Sequence, residues 1–159
     1  MKCKLRITEE MQKELNSKAL LTYLIMAIVG GVGLLSYIVI GTMHEYAWLD
    51  YLLYVSSVFF GIGLVFYITV KKSYKKNPNL NNTAEYELNE DHLVESIYKG
   101  DEQLANSKHY YTNIIKTRES KNYLFLFITA GAACVIPKNE LSADELTLLK
   151  TWIEKAKQK

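Results

Sequence analysis

Two stretches without a single charged side chain constrain this chain more than anything else in it. The first runs from Ala19 to Ile40, ALLTYLIMAIVGGVGLLSYIVI, and the second from Tyr51 to Val70, YLLYVSSVFFGIGLVFYITV. As helices they would rise about 33 Å and about 30 Å, enough for a hydrocarbon core of about 30 Å. A chain of 159 residues with one small soluble portion cannot bury two such helices. A cleaved signal sequence also fits poorly. The first run is too long, and Gly41, Thr42, Met43 and His44 after Ile40 offer no small-x-small cleavage site. The pattern predicts a transmembrane hairpin over residues 19–70, with spans 19–40 and 51–70.

The flanks give that hairpin a direction. A leader, residues 1–18, carries Lys2, Lys4, Arg6, Lys13 and Lys18, and Lys71, Lys72, Lys75 and Lys76 follow the second span. The loop between the spans has no Lys or Arg. Basic residues are retained on the cytoplasmic side, so the reading places both termini in the cytoplasm of a cell whose plasma membrane is crossed twice. Lys71, Lys72, Lys75 and Lys76 set this orientation or contact anionic lipid. Tyr46, Trp48 and Tyr51 suit the outer interface, while His44, Glu45 and Asp50 cluster in the loop. Neither span contains an acidic or basic residue, so the usual mark of an ion or proton path is missing. Ala27 with Gly31, and Ser57 with Gly61, lie four apart at mid-depth and are the candidates for close helix packing.

Residues 71–83 form a basic juxtamembrane linker ending in NPNLNNT, where Pro78 stops a helix. From residue 84 to 159 the character changes. Residues 83–159 hold ten Lys/Arg and twelve Asp/Glu, the mixed surface of a soluble domain and not a nucleic-acid footprint. Alternation over Ala84–Leu88 predicts a half-buried strand, and further strands are expected at His92–Tyr98, from Glu102, at Tyr111–Arg118, at Tyr123–Ile128 and at Ala132–Ile136. Ser142 and Glu145 form a capping box, with Leu141 and Leu146 as a hydrophobic staple. Leu146, Leu149, Ile153 and Ala156 then make one apolar helical stripe. The fold class is an α+β membrane protein: a two-helix hairpin, then a small antiparallel β roll closed by a C-terminal helix.

Chemistry is harder to find. Cys3 and Cys134 read as reduced thiols, too few for a disulfide scaffold. His44, His92 and His109 have no Cys or acidic neighbour at ligand spacing, so no metal site is expected. No phosphate loop, nucleophile elbow or dinucleotide fingerprint is present, and Gly30-Gly31-Val32-Gly33 lies mid-span. Glu90-Asp91 at a turn reads as solvated charge. No catalytic residue and no cofactor is expected.

The residues Glu119-Ser120-Lys121-Asn122-Tyr123, then Val135-Ile136-Pro137-Lys138 and the terminal helix, resemble the YcxB-like family of small bacterial membrane proteins. That resemblance implies a pleckstrin-homology-like (PH-like) soluble part, a bacterial cell membrane and no established activity. Six strands are legible where such a roll has seven, so a missing or irregular strand is expected between Glu102 and Tyr110. The function expected is a membrane-anchored cytoplasmic interaction module without enzymatic activity. Its partners would be the bilayer and another membrane protein or a second copy, met through the sheet edge near 101–111 with Tyr98, Tyr110 and Tyr111. The alternative is a small accessory or immunity-type membrane protein acting through its hairpin.

Overall fold

The computed structural model describes residues 1–41 and 48–158. The loop residues His44, Glu45 and Tyr46 lie outside them. The chain forms two compact units: Met1–Thr8 together with Asn79–Lys159, and Glu9–Pro78.

The second unit contains a short helix α1 (Glu9–Leu15) and two long ones, α2 (Ser17–Gly41) and α3 (Trp48–Ser73), with a 3-10 turn over Tyr74–Lys76. Both α2 and α3 are long and apolar enough to cross a membrane, and few of their residues are buried. Leu21, Ile28, Leu35, Tyr54, Val58 and Val65 are exposed, which the core helices of a soluble protein would not tolerate.

α2 and α3 pack antiparallel along a seam of small residues. A Cβ at Gly30 would lie 2.3 Å from the backbone N of Phe60, and one at Gly63 would lie 2.5 Å from that of Ala27. Gly33 faces Ser56, whose Oγ a Cβ would meet at 2.1 Å. Tyr23 stacks on Phe66 with ring centroids 5.2 Å apart. Of the four residues expected to pack closely, Ala27 lies against Gly63. Gly31 makes only ordinary contact with the Phe60 ring, Gly61 has nothing within 4 Å, and the exposed Ser57 donates to Leu53 O of its own helix at 2.7 Å. Where a helix is apolar all round, spacing alone leaves the seam ambiguous by one position.

The first unit is two antiparallel sheets and a helix. Sheet one has the order β1 (Lys2–Arg6), β2 (Thr83–Leu88), β3 (His92–Lys99), β4 (Glu102–Tyr110), and sheet two the order β5 (Lys116–Glu119), β6 (Tyr123–Phe127), β7 (Ala133–Pro137). β1 also packs against β7. Cys3, Leu5, Ala84, Tyr86, Leu88, Leu93, Leu124, Leu126 and Ile136 supply much of the core. Helix α4 (Ala143–Lys157) lays Leu149 and Ile153 into it. The expected capping box is present, with Glu145 N–H donating to Ser142 Oγ at 3.2 Å and Ser142 N–H to Glu145 Oε2 at 2.9 Å.

Three expectations need correction. The leader is not separate from the domain: Lys2–Arg6 is the strand β1, registered against Glu87–Thr83 of β2. Its lysines alternate outward, Lys4 Nζ lying 2.7 Å from Glu85 and Lys2 Nζ 3.7 Å from Glu87, while Cys3 and Leu5 point inward. Residues 71–83 are not an open linker either. α3 and its 3-10 turn run to Lys76, and Asn81 N–H donates to Ile7 O while Ile7 N–H donates to Asn82 O, both at 2.9 Å. Asn81 takes a positive φ of 69° there, a conformation asparagine tolerates better than most residues. Finally, Tyr111–Asn113 is a 3-10 turn where a strand was expected. The irregularity expected between Glu102 and Tyr110 is present as a bulge in β4: Ile97 pairs with Ala105 and Tyr98 with Gln103, which leaves Leu104 unpaired in the ladder.

Candidate functional site

Paired residues in an antiparallel ladder share a face. Tyr86 pairs with Glu95 and Leu88 with Leu93, and Leu93 pairs with His109. Glu95 and His109 therefore stand on the buried face of sheet one, between apolar neighbours. Cys134 of β7 faces them from sheet two and is 1% exposed.

The result is a polar cluster between the sheets. Tyr86 Oη donates to Glu95 Oε1 at 2.8 Å and accepts from Val135 N–H at 3.3 Å. Cys134 Sγ donates to Glu95 Oε2 over 3.8 Å, and His109 Nε2 lies 3.8 Å from the same oxygen. The donor atoms of Glu95, His109 and Cys134 all lie within 4.8 Å of one another. The side chains of His109 and Glu95 are 22% and 20% exposed, so the cluster opens to solvent on one side and has a thiol at its base.

Burial and the facing Glu95 carboxylate push the Cys134 thiol well above its ordinary pKa. Burial first, and then the same carboxylate, also raise the Tyr86 phenol. Both are held as neutral hydrogen-bond donors beside one carboxylate. The sequence expectation that the histidines stand apart from Cys and acidic side chains thus fails for His109, because strand pairing joins residues far apart along the chain. One signal was available. In Leu93-Val94-Glu95-Ser96-Ile97 a carboxylate occupies an inward position of an otherwise apolar alternation, and a buried acid needs partners.

Among the residues proposed for a partner surface, the structure separates three tyrosines. Tyr110 is 44% exposed at the end of the edge strand β4. Tyr98 is half-buried. Tyr111 is fully buried and is removed from that surface, because the 3-10 turn swings it inward. Every residue of β4 except the half-buried His109 is exposed, and its outer edge has no strand partner among the described residues. Beside it a cleft of about 590 Å³ is lined by Glu90, Asp91, Tyr110, Trp152 and Lys155. In the second unit Lys71, Lys72, Lys75 and Lys76 are all exposed.

Residues 90–153 match the family model described as YcxB-like protein. Over these residues the chain is similar to that family. The match bears out the resemblance read from Glu119–Tyr123, Val135–Lys138 and the terminal helix. The matched segment begins just before β3 and ends inside α4, so it includes Glu95, His109 and Cys134. No match is found among curated proteins or among solved structures.

Proposed function

We propose that this protein is a membrane-anchored, cytoplasmic, PH-like interaction module of a bacterial cell, and not an enzyme. One observation carries the reading. β1 precedes the hairpin, β2 follows it, and the two are hydrogen-bonded neighbours in one sheet. This pairing supports a hairpin whose two ends lie on the same side of the membrane, as an even number of spans would have them. Lys18, Lys71 and Lys72 at those ends argue for the cytoplasmic side. The four exposed lysines from Lys71 to Lys76 suit anionic lipid headgroups at that surface, at about 1 kcal/mol each.

Sheets of four and three antiparallel strands followed by a helix support the PH-like reading. The seventh strand, which the soluble sequence lacked, comes from the leader, and the hairpin occupies the β1–β2 connection. A partner segment would add to the free edge of β4, where main-chain pairing gives affinity and alternate side chains give selectivity. Anchoring raises the effective concentration of that edge toward other membrane proteins or further copies.

Two experiments test this. In a Cys3→Ser background, Asp50→Cys should react with an impermeant thiol reagent on intact cells, and Glu10→Cys only after permeabilisation. The opposite pattern overturns the orientation. A photo-crosslinking residue placed at Leu104 or Asn106 should give a discrete adduct in native membranes. Adducts no stronger than those from Lys121, at the β5–β6 turn, overturn the role of β4. Activity retained by the hairpin without the first unit would favour the accessory-protein reading instead.

A further inference from the structure

We infer that Glu95, His109 and Cys134 form a binding site for a divalent transition metal of the zinc class. The donor set is a carboxylate oxygen, an imidazole nitrogen and a thiol, each from a different strand: β3, β4 and β7. Mixed N, O and S ligation with three protein donors suits zinc and its cobalt substitute better than calcium or magnesium, which take oxygen. Zinc–ligand distances of about 2.0–2.3 Å put tetrahedral donors about 3.3–3.6 Å apart. Two of the observed separations are 3.8 Å, so those donors need close by only a few tenths of an ångström. His109, on the edge strand and partly exposed, is the side chain free to make the larger adjustment.

The surroundings are organised for this use. Tyr86 holds Glu95 Oε1, itself fixed by Val135 N–H, and leaves Oε2 turned toward Sγ and Nε2. Such outer hydrogen bonds orient metal ligands. Binding would convert the Cys134 thiol to thiolate: the metal gains bonds to Sγ, Nε2 and Oε2, and one proton leaves to solvent. The fourth position faces water through the open side of the cluster. The site would join β3 and β4 of sheet one to β7 of sheet two, and so clamp the roll next to the β4 edge. It lies entirely in the first unit and stands independently of the membrane reading.

The test uses the full chain in detergent, freed of metal with a chelator and titrated with cobalt(II). A near-ultraviolet thiolate-to-cobalt charge-transfer band should saturate at one equivalent and disappear when zinc is added. Cys134→Ser should abolish the band, and Cys3→Ser should leave it unchanged. Tyr86→Phe should weaken binding about 10- to 100-fold. His109→Ala, at a half-buried position near the end of the edge strand, should weaken it at least as much. Circular dichroism of each variant checks that it folds, and if Cys134→Ser does not, the His109→Ala titration decides. Absence of a band in the wild type overturns the site, as does a band that survives Cys134→Ser or is untouched by His109→Ala.

Discussion

Cys3 and Cys134 are free thiols buried in the core, and their environment dictates how they titrate. Burial, then the nearby Glu140, pushes the Cys3 thiol from 9.0 up to about 12. The folded protein thus keeps a proton that the unfolded chain releases from about pH 9. This contribution to stability is complete below pH 9 and is lost as pH rises through about 12. The denaturation midpoint should fall across that window, and Cys3→Val should make the fall shallower. A midpoint that is flat to pH 12 contradicts the burial. Native protein should also react slowly with alkylating reagents at neutral pH, and both thiols should react on denaturation. Tyr111 makes a second case. Its hydroxyl is buried and has no hydrogen-bond partner among the described residues. An unmet buried hydroxyl costs about 1–3 kcal/mol, so Tyr111→Phe should leave stability unchanged or raise it, measured by thermal melting. A loss of stability would mean that the hydroxyl is satisfied in solution.

The elements show which patterns a sequence displays and which it hides. α4 was legible to the residue, because Ser142, Glu145, Leu149 and Ile153 each have a local reason to be where they are. The positions of α2 and α3 were legible from their charge-free runs, although α3 extends from Trp48 to Ser73, beyond the expected 51–70. Their contact face was not, since every side of each helix is apolar and only backbone proximity distinguishes Gly30 from Gly31. That distinction is measurable. Gly30→Leu drives a side chain into the backbone of Phe60, and overpacking of this kind costs about 1–3 kcal/mol. Gly61→Leu meets open space and should be neutral. Melting in detergent, or the rate of cysteine crosslinking across the α2–α3 seam, should separate the two variants. Equal behaviour would mean that the seam lies elsewhere.

Across the whole molecule, the unreadable feature was the strand that begins the chain. Lys2, Lys4 and Arg6 alternate with Cys3, Leu5 and Ile7, so the period was present, but the partner strand lies some eighty residues away, beyond the hairpin, and no local rule joins them. The same distance hid the Glu95–His109–Cys134 cluster. Long-range pairing has an unusual consequence here. Ile7 exchanges hydrogen bonds with Asn81 and Asn82, so the ends of the first unit's two segments are already adjacent. Joining Thr8 directly to Asn79 would delete Glu9–Pro78 and leave Thr8, Asn79 and Leu80 as a loop between Ile7 and Asn81, a length common in β-hairpins. The resulting chain keeps every strand and loses both long apolar helices. It should be soluble without detergent and unfold cooperatively. A companion that begins at Asn79, and so lacks β1, removes Cys3, Leu5 and Ile7 from the core and exposes β2 as a raw edge. It should be protease-sensitive and prone to aggregate. If the two chains prove equally stable, β1 is dispensable and the same-side argument for the hairpin loses its anchor. If the joined chain melts well above the truncated one, the domain is a single roll that the hairpin merely interrupts.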